Sequence, residues 1–512
     1  MKAETLRRFL AVHSAVGMCA GLLLFIAFYA GALTLFREPI QAWAMASAPT
    51  RAAPPKTLDD AQRLLDNVLA REPAMAADIR VYLPHEGGDL QVAGPDPRTR
   101  HWREFELGPD GQVRPHEEHT DLADFIYRLH YTAGLPRPWG TYVLGVVCLL
   151  YGLALVSGVV IYMPMLARDL FALRWGRNIK RLWQDAHNAV GLLSLPFHVV
   201  FAWSGAVLTI GTLLLAPFQF FVFDGKLLDL VGPQAGFSRP VAQTDEKAPL
   251  LSLARLVAAA QAAAPGLEVE RLHIRKAGSA QAHVETDGHL QQRHLSDSAR
   301  IELNGATGEL LHAQTPSNYS SGTALLRGLQ TLHFGDYGGL VLRWVYCLLS
   351  LGGAFLFYSG NLLWVESRRK HRQPEQLRRA GVMARLTLGV CLGCMAGISA
   401  LFLLTRIVGE PRLSPWLEAA YLAVLGSCVL WAFARPLPRA AVELCVASAA
   451  VTAAIAGADM AMFDAQRLLG DATLWATDLT ALAGAAMLLA IARATRRRAR
   501  SGPAYSVWAT AA

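Results

Sequence analysis

The chain has 512 residues, of which 53% are hydrophobic and only 17% charged. A soluble protein of this length carries about a quarter charged residues, so the composition excludes an ordinary soluble fold and places the chain in a membrane. The net charge of +8 gathers at the ends of apolar runs, where it reports topology and contact with the membrane surface and gives no case for nucleic acid as a partner.

Apolar runs of roughly 20 residues, enough to cross a bilayer, lie near 10–36, 139–163, 188–216, 339–364, 383–408, 416–433, 439–458 and 472–492. Eight spans return both termini to the same side. Lys2, Arg7 and Arg8 precede the first span; Arg168, Arg174, Arg177, Lys180 and Arg181 follow the second; a cluster from Arg368 to Arg379 follows the fourth; Arg435 and Arg439 flank a short loop; Arg496 to Arg500 close the last helix. All fall on one face if the spans alternate, which makes that face cytoplasmic. The long connections 40–138 and 217–335 then lie outside.

The first run ends near a small-residue pattern, Ala44-Met-Ala46-Ser-Ala48, but it is about twice as long as the core of a cleavable signal, so an uncleaved anchor is expected. The seven cysteines (Cys19, Cys148, Cys347, Cys391, Cys394, Cys428, Cys445) all lie in or beside spans, and the outer segments have no disulfide framework. Cys391-Leu-Gly-Cys394 matches CxxC, but among small residues on an apolar helix it reads as helix packing. Asp459, Asp464, Arg467 and Asp471 read as a plain outer loop between the last two spans.

Each outer segment reads as a helix followed by strands. In the first, Thr57 caps a helix with apolar residues at helical spacing, and strands are expected at Ile79–Leu83, Asp89–Ala93 and Trp102–Leu107. In the second, a helix at Leu251–Ala263 precedes strands at Leu267–Ile274, Ala280–Glu285 and Ala299–Leu303. Phe105-Glu-Leu-Gly-Pro-Asp-Gly and Ile301-Glu-Leu-Asn-Gly-Ala-Thr-Gly are the same hairpin twice. Two small α+β units are the expected result.

The histidines carry the strongest functional signal. His13-Ser-Ala-Val-Gly17 opens a span that reaches Gly31, and His187-Asn-Ala-Val-Gly191 opens one that reaches Gly205, with the same 18 residues from His to Gly. Leu129-His130 leads to Ser157-Gly158, and Leu332-His333 leads to Ser359-Gly360. Both halves start on the cytoplasmic side, so they form a parallel repeat about an axis along the membrane normal. His13 and His187 then match near the cytoplasmic face, His130 and His333 near the outer face. Imidazoles at membrane depth are costly unless they serve something, and two facing imidazoles make an axial set for haem iron. Haem b, at about two per chain, is the expected cofactor.

His198 breaks the symmetry, because its counterpart in the first copy is Leu24. It follows His187 by three helical turns and about 20°, so both face the same way, about 16 Å apart along the axis. Three roles are open to it: a ligand to the outer haem in place of His130 or His333, a ligand to a further haem between the faces, or a hydrogen bond in helix packing. Reading the spacing between the two pairs as too long for rapid tunnelling favours a ligand. His116 and His119, in Pro-His-Glu-Glu-His, read as exposed surface, and His283, His289 and His294 lack ligand spacing. No GxSxG, HExxH, Walker or dinucleotide motif is present, so hydrolysis, ATP-driven transport and intrinsic NAD binding have no support.

The His-x-x-x-Gly helix starts, the paired Leu-His segments, Ser194-Leu-Pro-Phe-His198 and the repeated outer units resemble the PepSY-associated transmembrane family over roughly residues 5–370. That family comprises bacterial inner-membrane proteins often encoded with iron uptake, some of them haem-containing siderophore-iron reductases. The resemblance implies a duplicated span–PepSY–span membrane protein with two periplasmic α+β domains and cytoplasmic termini. The expected order is a first span (1–38), a first periplasmic domain (39–138), a second span (139–165), a cytoplasmic loop (166–186), a third span (187–216), a second periplasmic domain (217–335), a fourth span (336–366), a basic loop (367–382), a four-helix extension (383–495) and a tail (496–512). It further implies electron transfer from a quinol or a separate reductase to a periplasmic ferric siderophore. Tyr131, Arg137, Trp139, Tyr337 and Arg343 are candidates to line the outer surface. The alternative is a non-redox protein that binds or transports a siderophore, peptide or protease. The extension carries none of the family's signatures.

Overall fold

Apolar sequence in lipid satisfies its backbone polar groups most simply by internal helical hydrogen bonds, and helices dominate the computed structural model. It describes residues 2–46, 57–84, 90–96, 102–108, 110–116, 121–166, 179–227, 232, 246–290, 295–368, 374–501 and 507–508. His119, His294, His371 and the arginines at 168, 174 and 177 lie outside the described residues. Two compact units are present: residues 1–47, 119–214 and 333–512 form the helical unit, and residues 48–118 and 215–332 the sheet unit.

In the helical unit the first repeat is α1 (Ala3–Thr34), α2 (Arg37–Met45), α4 (Leu122–Thr132) and α5 (Trp139–Tyr162). The helix α3 (Leu58–Arg71) belongs to the sheet unit. The second repeat is α6 (Ile179–Leu193), α7 (Leu195–Phe221), α9 (Ser321–Phe334) and α10 (Gly339–Arg368); of these, α7 beyond Leu214 and α9 before His333 belong to the sheet unit, as does α8 (Leu253–Ala263). The extension follows as α11 (Pro374–Val408), α12 (Leu417–Ala434), α13 (Leu437–Met462) and α14 (Ala472–Ser501). Among the described residues seven helices are long and apolar enough to span a membrane, and the α6–α7 pair makes an eighth span if it is counted as one.

That pair departs from the sequence reading. A continuous third span was expected over 187–216, but the chain breaks at Ser194 and the two helices are bent by 69°. Pro196, two residues into α7, has no N–H for the Leu192 carbonyl, and its ring crowds that turn. The first repeat has Leu22 at the matching place, and α1 runs unbroken for 32 residues.

The extension is packed into the helical unit rather than appended to it. Tyr421 of α12 meets Phe125 of α4 with ring centroids 5.5 Å apart, and Phe402 of α11 meets Trp43 of α2 at 5.1 Å. Asp459, read from sequence as loop, lies in α13 and is fully buried. Its Oδ1 accepts from Arg406 Nε at 2.5 Å, and its Oδ2 accepts from Arg406 at 3.2 Å and from Trp43 Nε1 at 2.7 Å. The Arg406 guanidinium also stacks on the Trp43 ring, 3.9 Å from its centroid. A charge buried this deeply needs such a complete set of partners.

In the sheet unit the strands are β1 (Asp78–Tyr82), β2 (Gln91–Pro95), β3 (Trp102–Leu107), β4 (Val113–Pro115), β5 (Leu267–Arg275), β6 (His283–Leu290), β7 (Ser298–Asn304) and β8 (Leu310–Gln314). Sequence patterning leads to two separate α+β domains; the structure joins them in one eight-stranded antiparallel sheet, ordered β4-β3-β2-β1-β5-β6-β7-β8. The seam is β1 against β5, with Ile79 opposite Ile274 and Val81 opposite Leu272. Each half alone would present an open edge of unpaired N–H and C=O groups, and pairing the two edges removes both. One shared core holds Leu64, Leu65 and Val68 of α3, Leu253 and Leu256 of α8, and Ile79, Val81, Leu272, Ile274, Val284 and Ile301 of the strands. Thr57 caps α3 as its sequence indicates, with a reciprocal capping box to Asp60.

Two outcomes follow. Asp459→Ala leaves the buried Arg406 charge without its carboxylate, and thermal unfolding in detergent is expected to show a loss of about 3–5 kcal/mol; replacing both residues by apolar ones restores much of it. In the sheet unit, His289 is held by Glu270 and Asp297, which push its pKa up to about 9. A pKa raised in the folded state gives stability that is fully present below the unfolded value of about 6.5 and is lost as pH rises through about 9. His289→Gln should flatten the denaturation midpoint between those pH values.

Candidate functional site

Four of the five histidines singled out by sequence come together as two facing pairs. The His13 and His187 ring centroids are 6.4 Å apart with planes at 86°. Those of His130 and His333 are 6.0 Å apart at 50°. All four rings are half-buried.

One nitrogen of each ring is anchored. His13 Nδ1 donates to the Ala154 carbonyl of α5 at 2.9 Å, with Ser157 Oγ at 3.4 Å. His130 Nδ1 donates to the Ala27 carbonyl of α1 at 2.7 Å. His187 Nδ1 lies 2.9 Å from Ser359 Oγ of α10, and His333 Nδ1 lies 2.6 Å from Ser204 Oγ of α7. A carbonyl only accepts. Each serine spends its own proton on a carbonyl of its helix, Ser359 on Leu356 at 3.2 Å and Ser204 on Val200 at 2.6 Å, so it too accepts from the imidazole. All four rings are thereby set to the Nδ1–H tautomer, with the Nε2 lone pair bare. None of these Nε2 atoms has a hydrogen bond among the described residues. Metal-bound histidines are held in this way by an acceptor on the far nitrogen.

The glycines of the sequence motifs make room for the rings. A Cβ on Gly31 would sit 2.7 Å from His130 Nδ1, one on Gly158 3.1 Å from His13 Cε1, and one on Gly360 3.4 Å from His187 Cε1. Ser157-Gly158 and Ser359-Gly360 therefore receive His13 and His187, Ala30-Gly31 receives His130, and Ser204 meets His333. The sequence displayed these dipeptides as ends of a repeat; their role was hidden because the ring and its cradle lie as much as 172 residues apart.

His198 is different. It is fully buried, and both of its nitrogens are engaged. Ser194 gives its proton to the Val190 carbonyl and so accepts from Nε2–H at 2.8 Å. Nδ1 is then an acceptor for the Tyr151 hydroxyl at 2.5 Å. This is the opposite tautomer from that of the four paired rings, and it leaves no lone pair free. The geometry gives His198 the helix-packing hydrogen bond, the third of the roles open to it from sequence.

The remaining candidates do not converge. Arg343 pairs with Glu38 at 3.3 Å, Tyr337 and Tyr346 share a hydroxyl contact at 3.1 Å, and Arg137 stacks on Tyr131. Trp139 is exposed. His116 binds Glu106 at 2.8 Å. His273 bonds Asp78 at 2.7 Å; burial opposes its charged form, yet Asp78 and Glu285 outweigh that and hold its pKa above the usual value. Among the described residues no group of three or more His, Cys, Asp and Glu side chains could hold a metal ion. What the paired rings can bind is a metal that brings its other ligands with it.

A doubled set of spans, each half with a helix-and-strand segment between its spans and each contributing one imidazole to two facing pairs, defines a class of duplicated membrane protein. Residues 10–367 match the family described as the PepSY-associated TM region, and the chain belongs to that family. A relative from Pseudomonas aeruginosa, "Uncharacterized protein PA4219", is 29% identical over 304 residues, which is 55% of this chain and 75% of the relative. The family match stops at the end of α10, so α11–α14 lie beyond it.

Because a Cβ on Gly31 would overlap His130, Gly31→Ala is expected to destabilise the helical unit by about 1–3 kcal/mol. Gly17→Ala, where a Cβ meets nothing within 4 Å, should be neutral or slightly stabilising. Thermal unfolding of the two variants side by side checks both.

Proposed function

We propose that the protein is an inner-membrane haem protein that carries electrons across the membrane and reduces a periplasmic ferric siderophore, releasing ferrous iron. His13 with His187 would hold one b-type haem, and His130 with His333 a second. The observation that carries this reading is the shared state of the four rings: each has Nδ1 tied to an acceptor, Nε2 bare, and a partner opposite. Two imidazoles on one metal stand roughly 6 Å apart centre to centre when each metal–nitrogen bond is about 2 Å, and the observed separations are 6.4 and 6.0 Å. The donor set therefore fits haem.

Haem supplies one-electron chemistry at an iron whose potential its axial ligands tune. The chain's own part is to fix the ligands. The carbonyls of Ala27 and Ala154 and the hydroxyls of Ser204 and Ser359 hold the ring planes and raise the basicity of Nε2. Each pair would offer two imidazole nitrogens to one haem, a donor set that suits electron transfer. Along α1, Phe28 lies between His13 and the Gly31 cradle; along the α6–α7 pair, Phe201 lies between His187 and Ser204. Phe201 packs on His333 at 4.7 Å and on Phe28 at 6.2 Å. These rings pack in the interval between the pairs. A quinol or a separate reductase at the cytoplasmic side is the electron source, and the termini lie on that side by the distribution of Lys and Arg. A hard-oxygen siderophore binds ferrous iron far more weakly than ferric, so one electron is enough to release the metal.

A dithionite-reduced minus oxidised spectrum tests the reading. Low-spin b-type bands at about two haems per chain are expected, with about half lost in His187→Ala and the complementary half in His333→Ala. The ring planes at 86° and 50° should give two distinct low-spin resonances, the nearly perpendicular pair being the more anisotropic. A folded preparation from haem-replete cells without haem overturns the proposal and leaves binding or transport without redox chemistry.

A further inference from the structure

The break in the third span coincides with His198, a fully buried histidine of the spans that the proposed ligand set does not use. Ser194 is the residue at the break. Its hydroxyl reaches back four residues to the Val190 carbonyl on α6, and its oxygen accepts from His198, four residues ahead on α7, at 2.8 Å. His198 in turn accepts from Tyr151 of α5 at 2.5 Å. The resulting chain, Tyr151 to His198 to Ser194 to Val190, crosses the 69° bend and ties both of its arms to a third helix. Every polar hydrogen in the chain is used, and a fully satisfied buried network is rigid where a partly satisfied one is costly. The first repeat has Ala20 and Leu24 in the places of Ser194 and His198, and there the helix does not bend.

We propose that Ser194, His198 and Tyr151 form a polar clamp that fixes the angle between α6 and α7, and are positioning residues for the paired histidines. The two arms serve different sites. α6 carries His187 of the pair with His13, and α7 carries Ser204, the acceptor for His333. Fixing the bend fixes how the His187 ring stands against His13 relative to the Ser204–His333 contact. Phe28, Phe197 and Tyr151 surround the His198 ring with centroids 6.0, 5.5 and 6.0 Å away, so the clamp sits in aromatic packing and away from water.

The spectroscopic part of this inference rests on the haem reading; the clamp itself does not. His198→Leu and the gentler Tyr151→Phe are compared with the wild-type full-length protein by haem content, low-spin resonance and midpoint potentials, and by hydrogen–deuterium exchange over residues 187–203. The clamp predicts two haems retained, a shifted resonance and potential for the haem that is lost in His187→Ala, and about tenfold faster exchange around the bend, the scale of one lost buried hydrogen bond. His198→Gln, whose amide still donates to Ser194, should recover part of each change. A loss of haem in His198→Leu makes His198 a ligand and overturns the clamp, as does wild-type behaviour in all three measurements. If the wild-type protein holds no haem, the functional reading fails, and the exchange rates alone decide the clamp: faster exchange supports it and unchanged exchange overturns it.

Discussion

An imidazole within a membrane must satisfy both ring nitrogens, and this requirement organises the helical unit. Each paired histidine meets half of it with a neighbouring helix, through a backbone carbonyl for His13 and His130 and a serine for His187 and His333. Because acceptor and ring always come from different helices, each bond also fixes a helix–helix contact: α1 with α5, α1 with α4, α6 with α10, and α7 with α9. Glycines at 31, 158 and 360 let the helices approach closely enough for those bonds to form. The nitrogen left bare in each ring is the donor that the proposed haems would use. Packing and the setting of that nitrogen depend on the same contacts.

Duplication gives two histidine pairs from one pattern, and the departures from symmetry are where the two halves differ in structure. The second half bends at Pro196 and fills the bend with Ser194 and His198, while the first stays straight. In the first half the anchoring acceptors are carbonyls of the backbone; in the second they are serine hydroxyls, whose own protons are committed to carbonyls of their helices. A carbonyl cannot be altered by substitution, whereas a serine can, so the second half holds the adjustable contacts of both pairs.

The extension beyond the family match joins the helical unit through a desolvated ion pair, Arg406 with Asp459, roofed by Trp43. Such a pair costs much to bury and gives back most of that cost only when every donor is met. Its value here is directional: Trp43 belongs to α2, so the bond fixes α11 and α13 against the first repeat. Tyr421 against Phe125 adds the same constraint on α4, the helix that carries His130. The extension thus lies against the framework of one histidine pair, a relation that nothing in its own composition displayed.

The sequence by itself determined the membrane class, the spans apart from the break in the third, the duplication and which histidines stand opposite each other, because a repeat in fixed register places equivalent residues at equivalent depth whatever the details of packing. It also determined the helix-then-strands order of the outer segments, since periodicity and turn residues are local. Tertiary structure alone decided the rest. The joining of the two outer halves through β1 and β5 depends on edges that alternation along a strand does not reveal. The state of His198 depended on Tyr151, 47 residues away, and the burial of Asp459 on Arg406 and Trp43, 53 and 416 residues away. Local spacing states where a polar side chain lies along its helix. Whether its lone pair is free is settled by a partner from another helix, and only the folded chain brings that partner to it.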